Sequence, residues 1–74
     1  MKTQEDKIFV KKFGKNLRKV RKSKKISMTK LAFDSGLEYS QISRIELGQI
    51  NTSIAAVNSI ALALKIETKE LFDF

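Results

Sequence analysis

Apolar residues recur along this chain at spacings of three and four, and no stretch alternates apolar with polar. Spacing of that kind puts side chains on one face of an α-helix, whereas alternation would mark a strand. The pattern therefore predicts an all-α fold of five helices. Phe9, Val10, Phe13, Leu17 and Val20 form one stripe of a first helix running from about Asp6 to Lys22. Lys11, Lys12, Lys15, Arg18, Lys19 and Lys22 fall outside the stripe, toward solvent. Two residues break this division. Gly14 lies at the edge of the apolar arc, where the missing side chain permits a close helix approach at a propensity cost of about 1 kcal/mol. Arg21 lies on the same edge, so it is expected to be partly buried and to need an acidic partner.

The remaining elements are shorter and punctuated. Ser27 is the N-cap expected for a second helix over Met28 to Ser35, with Leu31 and Ala32 facing inward. Gly36 has the place of a left-handed C-cap. A third helix follows over Tyr39 to Leu47, with Ile42 and Ile45 as its inner face and Gly48 as its stop. The fourth spans Ser53 to Leu64, Ser53 being its cap candidate, and Thr68 is placed to cap a fifth over Lys69 to Phe72. Helix four is apolar nearly all round: Ile54, Val57, Ala61 and Leu64 form one stripe, and Ala55, Ala56, Ile60, Leu62 and Ala63 leave little polar surface. Such a helix requires burial on more than one side. Two covers are available: a subunit interface, or the segment Ile66, Leu71, Phe72 and Phe74 folding back.

A length of 74 residues gives room for one domain, residues 1–74, with a marginal core. There is no Cys and no His, which excludes disulfides and the usual zinc sites. No metal and no cofactor is expected, and dimerisation is the remaining way to add buried surface. No apolar run approaches the length of a membrane span, and Met1 to Asp6 lack an apolar signal core, so a cytoplasmic location is expected. The net charge of +7 is unevenly placed. Residues 1–25 carry eleven basic against two acidic residues, a net of +9, whereas residues 26–74 carry four against six, a net of −2. One cationic end suits docking onto a polyanion. Catalysis is a poor reading, since the chain lacks paired carboxylate motifs and Gly-rich phosphate loops as well as His and Cys.

Two short helices joined through a Gly-containing turn, the second apolar on one side only, make the pattern of a helix-turn-helix. Its residues here are Ser27 to Ala32, then Gly36-Leu37, then Ile42-Ser43-Arg44-Ile45-Glu46. Together with Leu47-Gly48, Ile60-Ala61 and Leu64, these resemble the Cro/C1-type (XRE) repressor family over about residues 13–72. The resemblance implies a compact five-helix lambda-repressor-like domain that binds double-stranded DNA with its third helix in the major groove, usually as a homodimer. It also implies that Arg21 pairs with Glu46, because members commonly join an Arg late in helix one to a Glu near the end of helix three.

The outer face of helix three is where base reading is expected: Tyr39, Ser40, Gln41, Ser43 and Arg44. Gln41 has the two-pronged geometry for adenine and Arg44 that for guanine O6 and N7. Phosphate contacts are expected from the backbone near Met28, at the start of helix two, with charge from Arg18, Lys24 and Lys25, and the family resemblance implies further contacts from Gln49 and Asn51, in the loop after Gly48. Many family members have Gln at the place of Met28 and a polar or basic residue at that of Leu47, so the family's contacts there do not carry over. The expected dimer interface comprises Ile60, Ala63, Ile66, Phe72 and Phe74. The function read from all this is sequence-specific transcription regulation, as a repressor or autoregulator. The alternative is a protein-interaction module, such as an antitoxin that binds a partner protein.

Overall fold

The computed structural model describes residues 3–74; Met1 and Lys2, the latter one of the eleven N-terminal cations, lie outside the described residues. Four α-helices, α1 (Gln4–Ser23), α2 (Met28–Ser35), α3 (Tyr39–Glu46) and α4 (Ile54–Leu64), precede a 3₁₀ helix (Thr68–Phe72). The all-helical class is that expected from periodicity; the last element is a tighter 3₁₀ turn, suited to five residues.

Each boundary has a local cause. Thr3 starts α1, two residues earlier than the stripe alone indicates: its hydroxyl accepts from the Asp6 N–H at 3.1 Å. Glu5 and Asp6 then face the positive end of the helix dipole. Ser27 and Ser53 cap α2 and α4 in the same way, each accepting at 3.0 Å from the amide three residues on. Ser53 is thus outside α4, and Leu47 likewise caps α3 rather than extending it. Gly36 (φ 74°) and Gly48 (φ 69°) end α2 and α3 in the left-handed region. Two non-glycine residues, Lys25 and Lys65, adopt that conformation after α1 and α4, both at φ 58°. The 3₁₀ helix is preceded by Glu67, not Thr68; the Glu70 carboxylate accepts from the Glu67 N–H at 2.8 Å.

The core gathers one stripe from each element: Phe13 and Leu17, Leu31 and Ala32, Ile42 and Ile45, Val57, Ile60, Ala61 and Leu64, and Leu71. α1 packs on α3 and on the 3₁₀ helix, and α2 on α3 and α4. Gly14 permits the first of these contacts. A Cβ built there would lie 2.6 Å from the Glu46 carbonyl oxygen and against that of Ile45, so the two backbones touch. Asn16 is buried and donates from Nδ2 to the Glu70 carbonyl at 3.0 Å, tying α1 to the last turn. Its place on the polar side of the sequence pattern gave no sign of this.

The question of what covers α4 is answered on one side. The 3₁₀ helix packs on α4 and buries Leu71 completely. Ile60 has no accessible surface, which corrects its expected place in a dimer interface: it belongs to the monomer core. Ala63 and Ile66 are half-buried and also pack on that core. Ile54 (88% exposed) and Leu62 (69%) remain open on the other side.

Candidate nucleic-acid interface

The period of α3 divides its eight residues between two tasks. Ile42 and Ile45 point into the core with 0% and 1% exposure, and the opposite side is left to solvent. Tyr39, Ser40 and Arg44 are exposed, while Gln41 and Ser43 are half-buried at the flanks. All five lie within six successive positions, so their polar groups project from less than two helical turns. Leu47, at 54% exposure, extends this surface with an apolar tip.

The position of α3 is fixed by a buried ion pair. Arg21 and Glu46 are 7% and 8% exposed. The guanidinium donates from Nε to Glu46 Oε2 at 2.6 Å and from Nη2 to Oε1 at 3.0 Å, a two-pronged arrangement. A third donor, Nη1, reaches the Ile26 carbonyl at 2.8 Å, in the turn that leads to α2. One side chain therefore ties the end of α1, the approach to α2 and the end of α3. The Glu46 hydrogen bond raises the Arg21 pKa above the ordinary arginine value, against the opposing effect of burial, with the Glu46 and Tyr39 charges adding to the rise. The group is raised, so its contribution to stability is complete below the ordinary arginine pKa and is lost only at still more alkaline pH.

The start of α2 offers amides. Ser27 satisfies the Lys30 N–H through its hydroxyl and the Leu31 N–H through its carbonyl. Those of Met28 and Thr29, first in the helix, have no intrahelical acceptor and sit at the positive end of the dipole. The Met28 side chain turns inward and packs against the core, so this residue offers its backbone rather than its thioether. Lys24 and Lys25 occupy the turn just before, both exposed, and Arg18 is exposed on α1. Gln49 and Asn51 are exposed in the loop after α3. One cation that spacing did not single out belongs here. Lys11 lies over Gly48, where an added Cβ would come within 2.6 Å of its Cγ and 2.8 Å of its Cα. The packing of its stem on a buried glycine places a lysine beside the loop of Gln49 and Asn51.

A tripartite bidentate-tied frame, an exposed polar helix face and open amides at a neighbouring helix start define a helix-turn-helix domain. Residues 14–73 match the family described as the helix-turn-helix domain, and the chain belongs to that family, of the XRE type. Among its relatives, control protein C.BamHI of Bacillus amyloliquefaciens is 41% identical over 63 residues, which cover 84% of this chain and 78% of that protein. The HTH-type transcriptional regulator SlrR of Bacillus subtilis (strain 168) is 38% identical over 61 residues, covering 81% of this chain and 40% of SlrR. The crystal structure of the restriction-modification controller protein C.AhdI from Aeromonas hydrophila superposes with a TM-score of 0.84 at 44% identity, over 85% of this chain and 96% of that one. An HTH_3 family transcriptional regulator from Vibrio cholerae gives a TM-score of 0.86 at 27% identity, over 90% of this chain and 38% of that one. The relatives are thus regulators of transcription and controllers of restriction-modification. Among the described residues, no helix is long and apolar enough to cross a membrane.

Proposed function

We propose that the protein is a dimeric, sequence-specific DNA-binding regulator of the controller type, acting in the cytoplasm and serving no catalytic role. The observation that carries this reading is the division of α3: an inner face buried to 0–1% and an outer face of Tyr39, Ser40, Gln41, Ser43 and Arg44. Two such helices, one from each copy, read half-sites about 34–36 Å apart on one side of the duplex. Likeness to two control proteins over most of their lengths supports the controller assignment.

Base reading falls to the outer face of α3, with Arg44 as the guanine contact. Arg44→Ala is expected to cost about 1–3 kcal/mol of discrimination at one base pair of each half-site. Site selection from random DNA, run in parallel on the wild type and the variant, checks this. The reading fails if the wild type enriches no sequence at low salt.

The amides of Met28 and Thr29, with Arg18, Lys24, Lys25, Gln49, Asn51 and Lys11, hold the phosphates. Each phosphate contact adds about 0.9 to the slope of log affinity against log salt. Lys11→Ala is expected to flatten that slope by about one per protomer without changing the selected sequence. An unchanged slope in a titration across salt concentrations would remove Lys11 from the set.

A further inference from the structure

Leu47 stands where α3 ends, an apolar side chain with 54% of its surface exposed. It has no part in the core, which takes Ile42 and Ile45 from this helix. Its backbone is still in the right-handed helical region (φ −83°, ψ −4°), and its N–H donates to the Ser43 carbonyl at 3.0 Å. The phase of α3 therefore carries through it. At about 100° per residue, Leu47 points within about 20° of Ser40 and about 140–160° away from Ile42 and Ile45. It lies on the midline of the outer face, in one file with Ser40 and between Ser43 and Arg44. We propose that Leu47 is a specificity-determining residue that reads the C5 methyl of a thymine in the major groove. The inference rests on the DNA-binding reading above and names one base that this face selects.

Chemistry selects the contact. A phosphate offers a leucine nothing, because an apolar side chain laid against a charged oxygen removes water and supplies no donor in its place. The base edges of the major groove are hydrogen-bonding groups with one exception, the thymine methyl, which apolar side chains touch. Ser40 and Leu47 are seven residues apart, about 10 Å along the helix, so they address positions roughly three base pairs apart. The order along the chain fits as well. Leu47 follows the residues assigned to base reading and precedes Gln49 and Asn51, assigned to the phosphates. A methyl at C5 projects on the side of the base nearer its own strand's backbone, which is the part of the groove that a residue so placed meets.

The side chain also stands on a fixed backbone. Three successive amides close the end of α3: that of Leu47 on Ser43, that of Gly48 on the Ile45 carbonyl at 3.0 Å, and that of Gln49 on the Arg44 carbonyl at 2.9 Å. On one side Glu46 is clasped by Arg21, and on the other Gly48 packs under the stem of Lys11. A leucine held in this way has little backbone freedom to lose on binding, so little of the gain from burying the methyl is offset. Burial of one methyl group corresponds to about fourfold in affinity.

A uracil scan tests the assignment, because deoxyuridine differs from thymidine only in lacking that methyl. The site that the wild type enriches from random DNA is synthesised with each thymine replaced in turn, symmetrically in both half-sites, and titrated with wild type and Leu47→Ala. The expected result is one thymine per half-site whose replacement weakens wild-type binding by about fourfold, or about fifteenfold over two half-sites, and leaves Leu47→Ala unaffected. In selection from random DNA, Leu47→Ala is expected to lose the preference for thymine at that position and to keep the others. Leu47→Asn, a polar side chain of similar branching, gives the same loss by an independent route. Leu47 is outside the core, so both variants fold, as checked by circular dichroism melts. Equal responses of wild type and both variants at every thymine, or a wild type indifferent to all the replacements, would overturn the role of Leu47 and leave sequence-specific binding standing. A wild type that enriches no sequence would overturn the DNA-binding reading itself.

Discussion

Glu46→Ala is expected to lower stability by about 3–5 kcal/mol and the melting temperature by more than about 12 °C. The carboxylate takes two of the guanidinium's donors in a site where both side chains are less than a tenth exposed. Its removal leaves a buried cation whose solvation the fold does not replace. For a domain of this size, whose whole stability is in the range of 5–15 kcal/mol, that is a large fraction. The loss is not equal to the worth of the pair. Desolvating both ions offsets much of their attraction, so replacing the two together by apolar groups is expected to be far milder than either single change. The double variant Arg21→Met, Glu46→Leu should therefore melt above Glu46→Ala. It should still melt below the wild type, because Ile26 loses the donor that now reaches its carbonyl, at about 1–3 kcal/mol. Thermal melts of the wild type, the single and the double variant check this order. Equal melting of wild type and Glu46→Ala would show the pair to be energetically silent.

The same pair shows why much of this molecule was legible in sequence. A 3.6-residue period places Arg21 on the margin of an apolar stripe, and burial of a charge there demands a partner. The family resemblance then picks out Glu46. Helix ends were legible wherever a side chain itself makes the cap, as at Ser27 and Ser53, or where glycine relieves a left-handed turn, as at Gly36 and Gly48. They were less so where an unlikely residue takes the strained place. Lys25 and Lys65 at positive φ have nothing in their chemistry to announce a left-handed turn. Asn16 was missed because its partner is a backbone carbonyl 54 residues away, and main-chain acceptors carry no sequence mark. The pattern cannot assign Ile60 to core or interface, because a helix apolar all round has no unique inner face; only the packing of the 3₁₀ helix and of α2 decides which side closes. The exposed residues of α3 were legible as a face. Their division into base and phosphate contacts rests on chemistry and resemblance, since a solvated serine and a base-reading one look alike in isolation.

Gly14→Ala is the second large effect, and its expected sign opposes helix propensity. In an isolated helix alanine would stabilise by about 1 kcal/mol over glycine. Here the new methyl meets the carbonyl oxygens of Ile45 and Glu46 and lies 2.9 Å from the Glu46 carbonyl carbon, all backbone atoms that no rotamer change can move aside. α1 and α3 must separate. Overpacking of this kind costs about 1–3 kcal/mol and sometimes more, and it outweighs the propensity gain. The consequence reaches the DNA face. Displacing the end of α3 shifts Glu46 against Arg21, two turns along α1 from Gly14 on the same side, so the clasp loosens with the contact. We expect Gly14→Ala to lower the melting temperature by about 5–10 °C or more, and to weaken specific DNA binding even at temperatures where the variant remains folded. Lys11→Ala, by comparison, changes the salt dependence of binding and leaves melting nearly untouched. A melt and an affinity titration on the same Gly14→Ala preparation separate the two effects. A variant that melts at or above the wild type would mean that α1 and α3 are free to slide apart at no cost, and that α3 is not rigidly held by the frame behind it.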